Sequence, residues 1–203
     1  MIISPYEQGT NEWMLARAGI PTASNFAKII TTKGDPSKQK QKYMLQLAGE
    51  RLLHAKSESY QSKGMKRGIE LEPDARLKYE IMTGNDVKEV GLCYYDDKQR
   101  IGASPDGLVS TNGEIEIKCP ELDTFIQYKL SGGLYKDYFQ QVQGQLYVTS
   151  REWCDLIAFY PGAKPIIERI ERDELFIVML EAELEKFCDD LDEIVANLIE
   201  KGW

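Results

Sequence analysis

Histidine is almost absent from this chain, and cysteine is sparse. His54 is the only histidine, so a serine or cysteine triad or a histidine-rich metal site would depend on this one residue. The four cysteines are widely separated and include no Cys-x-x-Cys pair, which argues against a zinc ribbon, a disulfide framework and an iron–sulfur cluster. We therefore expect buried free thiols and a reaction chemistry that does not use histidine.

Long apolar runs are absent too. No stretch approaches the ~20 apolar residues that a membrane-spanning helix needs, and Met1–Pro5 lacks the basic region and apolar stretch of a signal peptide. The chain has 203 residues, of which 42% are hydrophobic, enough for one domain with a substantial core. These features predict a single intracellular domain, residues 1–203, with no membrane partner.

Positive charge is scarce. The formal net charge is −8, which speaks against a nucleic-acid partner because phosphate binding needs local positive potential. Basic residues nevertheless gather at Lys33–Lys42 and Lys63–Arg67, whereas acidic residues crowd the stretch from Glu168 to Glu200. Such a polarised distribution is compatible with a basic groove on an acidic body.

Two neighbouring stretches, Ser104–Gly107 and Glu114–Pro120, carry the candidate chemistry. Polar and apolar residues alternate in the second stretch, so as a strand it places Glu116 and Lys118 on one face. A turn-forming Thr-Asn-Gly triplet between the stretches predicts a hairpin. That pairing would bring Asp106 beside Glu116.

Two carboxylates and a lysine that converge in this way suit phosphate chemistry. Carboxylate oxygens hold a hard cation such as Mg²⁺, and a lysine can orient or activate a water for attack on phosphate. The alternative is a surface hairpin with solvated charges, because an Asp…Glu-x-Lys pattern by itself is loose. Other parts of the chain have to decide between the two.

A second candidate feature lies near the N-terminus. Residues 10–17 predict a short capped helix, and Thr22 or Ser24 can begin another helix. Arg17 and Ser24 flank the turn between them. An arginine fork beside hydroxyls and the free N–H groups of a helix start can bind phosphate, but a helix cap and a surface arginine are an equally common explanation.

Helical and strand patterns alternate along the rest of the chain. Pro73 should begin or kink its helix, which places Glu72 near a bend, where it can pair with Arg76 or bind a metal. The final helix should pack its apolar face on the body. The predicted elements are a loop at 31–39, helices at 40–55 and 63–82, a strand at 87–95, the hairpin, helices at 123–130 and 135–149, strands at 153–160 and 166–171, and an acidic helix that Asp173 caps.

Five motifs follow one another over most of the chain. They are Trp13-x3-Arg17-x4-Thr22-Ala23-Ser24, Gly68-x3-Glu72-x-Asp74-Ala75-Arg76, Ser104-Pro105-Asp106-Gly107-Leu108, Glu116-Ile117-Lys118-Cys119-Pro120 and Gln141-Val142-Gln143. Together they resemble the lambda-exonuclease-like (YqaJ-like) viral recombinase nucleases, a branch of the PD-(D/E)xK superfamily. Their order and spacing are far more specific than the hairpin pattern alone.

The resemblance implies an α/β fold of the PD-(D/E)xK nuclease type, with a central mixed β-sheet flanked by helices. It also implies roles for the residues of the hairpin. Asp106 and Glu116 would bind the metal together with the backbone carbonyl of Ile117, and Lys118 would position or deprotonate the attacking water. Glu72 would lie near that water and serve as a further metal ligand.

The resemblance implies roles for four more residues. Gln141 would contact Lys118 or the DNA. Arg17, Ser24 and Ser104 would form the pocket for a 5′-terminal phosphate. Such a pocket would explain why digestion starts at an end of the DNA and continues processively.

The implied activity is Mg²⁺-dependent 5′-to-3′ exonuclease action on double-stranded DNA, with Mn²⁺ as a substitute and two ions per site. It would release mononucleotides and leave a 3′ overhang for phage recombination by strand annealing. The protein would be a ring-shaped homotrimer that works with a single-strand annealing protein in the cytoplasm, as a phage or prophage protein in a bacterial host. The chain departs from the lambda enzyme at Arg67–Glu70 and in the loop 31–39, which would both touch DNA.

Two alternatives stay open. One is an endonuclease of the same superfamily, which would cut a closed circle. The other is a DNA-end-binding recombination protein that has kept the fold and lost hydrolysis, although the complete set of Asp106, Glu116 and Lys118 argues against it.

Overall fold

The computed structural model describes residues 1–56 and 63–203, and the strands in these ranges form two sheets. The larger sheet contains Val87–Lys88 (β2), Gly107–Val109 (β5), Gly113–Lys118 (β6), Trp153–Ala158 (β7) and Ile166–Glu171 (β8), in the spatial order β2-β5-β6-β7-β8. The smaller sheet contains Ile2–Ile3 (β1), Cys93–Tyr94 (β3) and Gly102–Ala103 (β4), in the order β1-β3-β4.

The larger sheet is mixed. Strands β6 and β7 run parallel, and the other neighbouring strands pair antiparallel. A parallel pair needs a long crossover, which here consists of two helices, Leu122–Ser131 (α4) and Tyr135–Thr149 (α5). The predicted hairpin is β5 and β6, and the predicted late strand pair is β7 and β8, so both predictions are confirmed.

Helices cover both faces of the larger sheet. Ala75 and Tyr79 of one helix pack against Ile115 and Ile117 of β6, while α5 lies on the opposite face, towards which Glu116 points. The helices besides α4 and α5 are Asn11–Ala16 (α1), a 3₁₀ helix at Ala23–Lys28, Lys40–Leu53 (α2), Lys63–Thr83 (α3) and Glu174–Glu200 (α6). This mixed sheet between helices confirms the predicted fold class.

Two helix starts are capped as the sequence predicts. The Thr10 hydroxyl accepts the N–H of Trp13 at 3.2 Å, and the Asp173 carboxylate accepts the N–H of Phe176 at 3.0 Å. Each cap satisfies one backbone donor that the helix leaves open. The final helix also packs as predicted: it buries Leu180, Leu184, Phe187, Cys188 and Leu191 in the main core, with Ile194 partly buried beside them.

The predicted strand at 87–95 is wrong as one element. It consists of β2 and β3, which belong to different sheets. Strands β4 and β5 likewise belong to different sheets, and Asp106 lies in the short segment between them, just before β5. Between the sheets the chain passes so close to the N-terminal segment that a Cβ on Gly91 would lie 2.0 Å from the carbonyl oxygen of Tyr6. The alternation of apolar residues continues where the chain passes from one sheet to the other, so the sequence pattern does not show where one strand ends and the next begins.

Pro73 does not begin its helix, since α3 runs through it. A proline at this position removes one backbone donor, which leaves the carbonyl of Ile69 without its helical partner. Both residues are exposed, Ile69 at 62%, so water can bind that carbonyl.

The thiol prediction is confirmed for three cysteines. Cys93, Cys154 and Cys188 are buried and free, and Cys119 is free and half-buried. His54 is exposed in the left-handed conformation (φ 49°) that ends α2. Within residues 1–56 and 63–203, no helix is long and apolar enough to cross a membrane.

Candidate active site

All nine predicted site residues line one cleft of about 350 Å³. The cleft lies where the chain crosses from the smaller sheet to β5, beside the C-terminal end of β6 and beneath α3 and α5. It brings together residues from five separate parts of the chain: Arg17, Ser24, Glu72, Ser104, Asp106, Glu116, Ile117, Lys118 and Gln141.

Strand β6 and helix α5 meet through side chains that repeat in matching steps. Two residues of a strand advance ~6.7 Å and four residues of a helix advance ~6.0 Å, so every second residue of β6 can meet every fourth residue of α5. Glu116 is held in this way: Gln141 Nε2 donates to its Oε1 and Gln145 Nε2 to its Oε2, both at 2.6 Å. Lys118 Nζ also donates to Oε1 at 2.6 Å, as their shared face predicts.

Asp106 lies beside Glu116 as the hairpin predicts. Its Oδ2 accepts the N–H of Ile117 at 2.6 Å, and its own N–H donates to the carbonyl of Ile115 at 3.1 Å. Burial, followed by the nearby charges of Glu116 and Glu72, raises the pKa of Asp106 well above its usual range. The cleft therefore concentrates more negative charge than its own residues neutralise.

Lys118 is a firmly held ammonium. Burial lowers the pKa of Lys118, but the carboxylates of Glu116 and Asp106 outweigh this effect and raise it to about 12. Its Nζ also contacts Gln141 Oε1 at 3.3 Å and lies 4.6 Å from the centre of the Tyr138 ring. In this arrangement Lys118 can donate hydrogen bonds and orient a water.

Glu72 forms an ion pair, which is one of the two alternatives that the sequence left open. Arg76 Nη2 lies 2.6 Å from Glu72 Oε1, and its Nη1 lies 2.8 Å from Glu89 Oε1. Burial raises the pKa of Glu72 although Arg76 opposes the shift. One oxygen of Glu72 is therefore occupied, and Glu72 meets the cleft from the side of α3.

The oxygen donors of the cleft fit a hard cation. Across the described part of the chain, no group of three or more His, Cys, Asp or Glu side chains could hold a metal ion by itself. The donors that converge are the carboxylates of Asp106 and Glu116, and the charge of Glu116, after burial, raises the pKa of Asp106. All are oxygen ligands of the kind that Mg²⁺ prefers, and Mg²⁺ usually keeps waters for its other positions.

Arg17, Ser24 and Ser104, which we call the Arg17 cluster, form one corner of the cleft. Arg17 Nη2 donates to Ser24 Oγ at 3.4 Å, and its guanidinium stacks on Trp13 at 4.1 Å. The indole N–H of Trp13 donates to Ser104 Oγ at 3.2 Å. Of the two residues that could begin the 3₁₀ helix, Thr22 is the N-cap, without a capping hydrogen bond from its side chain, and Ser24 lies within the helix.

Arg67, which the sequence assigns to a segment that touches DNA, has backbone partners instead. Its Nη1 donates to the carbonyls of Cys119 and Pro120 at 2.6 and 2.8 Å, and its guanidinium lies 5.0 Å from the centre of the Tyr160 ring. It thereby ties the start of α3 to the end of β6. Gly68 and Ile69, next in the chain, line the cleft.

Sequence reasoning missed three residues that support the site: Gln145, Thr149 and Glu114. Thr149 Oγ1 lies 2.8 Å from Oε2 of Glu114, which is fully buried. Burial raises the pKa of Glu114 to about 8. Residues 114, 116 and 118 alternate on β6, and residues 141, 145 and 149 recur every four positions on α5. Only the two periodicities taken together indicate that these side chains meet.

A glutamate and a lysine on a central strand of a mixed sheet, with an aspartate just before the paired strand and helices on both faces, are typical of the PD-(D/E)xK nuclease fold. The family within this fold is given by a sequence model: the model of the YqaJ-like viral recombinase domain matches residues 12–152. The chain belongs to this family.

Solved structures agree with this assignment. The chain is similar to the alkaline exonuclease of Laribacter hongkongensis, with 38% identity, a TM-score of 0.86 and coverage of 95% of this chain and 97% of that one. The complex of that exonuclease with dAMP matches with a TM-score of 0.85 at the same identity and coverage. A phage-related exonuclease from Haemophilus somnus 129PT is 15% identical, with a TM-score of 0.67 over 88% of this chain and 96% of that one, and shows the fold alone.

A viral relative is known from sequence. The uncharacterized protein R354 of Acanthamoeba polyphaga mimivirus is 29% identical in an alignment 174 residues long, and the match covers 76% of this chain and 29% of that protein. The chain therefore spans less than a third of the length of that relative.

Proposed function

We propose that this protein is a metal-dependent 5′-to-3′ exonuclease on double-stranded DNA, which releases mononucleotides and leaves a 3′ single-stranded overhang. One observation carries the proposal: Asp106, Glu116 and Lys118 open into the same cleft as the Arg17 cluster. A cleavage site beside a phosphate cradle suits a substrate that is held by its terminal phosphate. Family membership and the likeness to an alkaline exonuclease over nearly its whole length support a nuclease.

Asp106 and Glu116 would hold Mg²⁺ together with the carbonyl of Ile117, with Mn²⁺ as a substitute and two ions per site. The bound metal would neutralise charge on the scissile phosphate and activate a water for attack. A cation also fits the electrostatics, because burial and then the charges of Glu116 and Glu72 raise the pKa of Asp106, and a bound cation would offset both effects.

Lys118 would orient the attacking water. Its ammonium is fixed by Glu116 and Gln141, so a water that accepts a hydrogen bond from it has a defined position in the cleft. Glu72, whose pKa burial raises, would accept a proton from that water or bind a metal-held water through the oxygen that Arg76 leaves open. Gln141 would keep Lys118 and Glu116 in register.

The Arg17 cluster would bind the 5′-terminal phosphate. A guanidinium and two hydroxyls supply the donors that a phosphate accepts, and charge-assisted hydrogen bonds are the stronger kind. Burial removes water from the guanidinium of Arg17 and lowers its pKa. A bound phosphate would replace the hydrogen bonds that this water no longer provides. The complex of the Laribacter hongkongensis exonuclease with dAMP supports a mononucleotide as the product.

The biological setting that we propose rests on the family. The protein would act as a ring-shaped homotrimer on DNA ends, in the cytoplasm of a bacterial host as a phage or prophage protein. Its 3′ overhang would be the substrate of a single-strand annealing protein in phage recombination.

The test is digestion of linear duplex DNA, labelled at either end, with and without 5′ phosphates, beside a covalently closed circle. We expect Mg²⁺-dependent shortening of the 5′-terminated strands, a preference for phosphorylated ends and no cutting of the circle. Cutting of the circle would favour an endonuclease, and intact duplex in both Mg²⁺ and Mn²⁺ would favour a non-catalytic end-binding protein. Lys118→Met is the matched inactive variant, and undiminished digestion by it would contradict the assigned site.

A further inference from the structure

We infer that Gln145 is a positioning residue, which fixes the carboxylate of Glu116 so that one lone pair of Oε2 faces the cleft. The inference rests on the proposed metal-dependent nuclease function and extends it to a residue outside the five motifs. Gln145 would touch neither DNA nor metal, and would act through Glu116.

The hydrogen bonds of Glu116 divide unequally between its two oxygens. An ionised carboxylate has about four acceptor sites, two on each oxygen. Lys118 and Gln141 both donate to Oε1, which fills that oxygen. Gln145 donates to Oε2 and leaves one site open there. The oxygen available to a cation is thus set by the donor that shares Oε2.

Gln145 borders the cleft, but its hydrogen bond to Glu116 is largely shielded from water. Gln145 is 1% exposed and Glu116 is 3% exposed. If the amide were removed, Glu116 would keep both hydrogen bonds at Oε1 and be free to rotate about them, so Oε2 would no longer have a fixed direction. A carboxylate that directs one oxygen at a metal depends on such outer partners for its orientation.

The rest of the Gln145 side chain argues against a purely structural role. Its Oε1 is buried and has no hydrogen-bond partner among the residues that the structure describes. A buried carbonyl without a donor destabilises the fold, and an apolar side chain of the same size would avoid that cost. The amide at this position therefore serves its one donated bond, which goes to Glu116.

Gln143 provides a matched control. It is also a buried glutamine of α5, but it faces away from the cleft: its Nε2 donates to Tyr135 Oη at 2.7 Å and to the carbonyl of Glu171 at 3.0 Å, and its Oε1 accepts the N–H of Asp173 at 2.8 Å. Gln143→Met removes more hydrogen bonds than Gln145→Met, so it should cost at least as much stability without touching Glu116.

The experiment compares the wild type, Gln145→Met and Gln143→Met by Mn²⁺ calorimetry without DNA, thermal melting, and digestion kinetics at saturating metal. We expect Gln145→Met to bind Mn²⁺ about 10–100-fold more weakly, with lower kcat, unchanged KM for DNA ends and a melting temperature no lower than that of Gln143→Met. Gln143→Met should keep wild-type Mn²⁺ affinity and kcat. Gln145→Asn, which withdraws the donor and keeps the amide, should repeat the defect if Gln145→Met does not fold.

Two results would overturn the inference alone: wild-type Mn²⁺ affinity in folded Gln145 variants of an active protein, or the same loss of affinity in Gln143→Met. A wild-type protein that neither binds Mn²⁺ nor shortens DNA would instead overturn the proposed function, and the inference with it.

Discussion

Replacement of Asp106 by asparagine should separate stability from chemistry at this site. Asp106 is the carboxylate whose pKa burial and two neighbouring acids raise most clearly. Asparagine has the same shape and its amide oxygen can still accept the N–H of Ile117, a bond worth about 1 kcal/mol. The substitution removes a charge that the fold accommodates at a cost, so the melting temperature without metal should equal or exceed that of the wild type.

Activity should respond in the opposite direction. Loss of one metal-binding carboxylate is expected to slow digestion ~10³-fold or more, which corresponds to ~4 kcal/mol of transition-state stabilisation. The assay is digestion of end-labelled duplex at saturating Mg²⁺, beside a thermal melt of the same preparation in a chelator. Activity within tenfold of the wild type would refute the role of Asp106, and a large fall in melting temperature would refute the electrostatic argument.

Asp155 provides the control for the same substitution. It is buried in β7, where Arg169 donates to both carboxylate oxygens at 2.7 and 2.8 Å and Tyr79 Oη donates at 2.7 Å. Asp155→Asn weakens these charge-assisted bonds, and since the Arg169 side chain is 47% exposed, the cost should be about 1–3 kcal/mol. That amounts to a fall in melting temperature of about 2–12 °C for a chain of this size. Digestion by the folded variant should be unchanged.

Three further predictions concern the cleft, the buried acid beneath it and the packing that supports it. Arg17→Ala should abolish the preference for 5′-phosphorylated over 5′-hydroxyl ends in digestion assays while DNA without the phosphate is still shortened; a retained preference would contradict the cradle. Burial raises the pKa of Glu114 to about 8 from an ordinary 4.5, so its contribution to stability is full below pH 4.5 and is lost as the pH rises through 8. In urea titrations, the stability of Glu114→Gln relative to the wild type should therefore increase from pH 5 to pH 8. A difference in stability that stays constant over this range would contradict the shift. Gly144→Ala should destabilise the protein by about 1–3 kcal/mol, because a Cβ there would lie 2.3 Å from the ring of Phe26. Gly49→Ala is the control: a Cβ at Gly49 would meet no neighbouring side chain within 4 Å, so the substitution should stabilise α2 by about 0.5–1 kcal/mol in the same titrations.

Much of the fold follows from local pattern. The helix at 135–149 and the strand at 166–171 have the predicted bounds, because their periodicity and flanking turn residues lie in continuous sequence. The division of 87–95 between two sheets was missed, since a chain that leaves one sheet for another can keep its alternation of apolar residues.

The groups that would react in the proposed nuclease follow from local sequence. Alternation in β6 puts Glu116 and Lys118 on one face, and a short turn suffices to bring Asp106 beside them, so every step depends on neighbours within about a dozen positions. Only the tertiary structure decided how these groups are held. The partners of Glu116 are 25 and 29 residues away on a crossover helix. The Arg17 cluster joins segments that are far apart in the chain, since Trp13 and Ser104 are 91 residues apart. Such contacts depend on how helix and strand are placed against each other, which no local periodicity specifies.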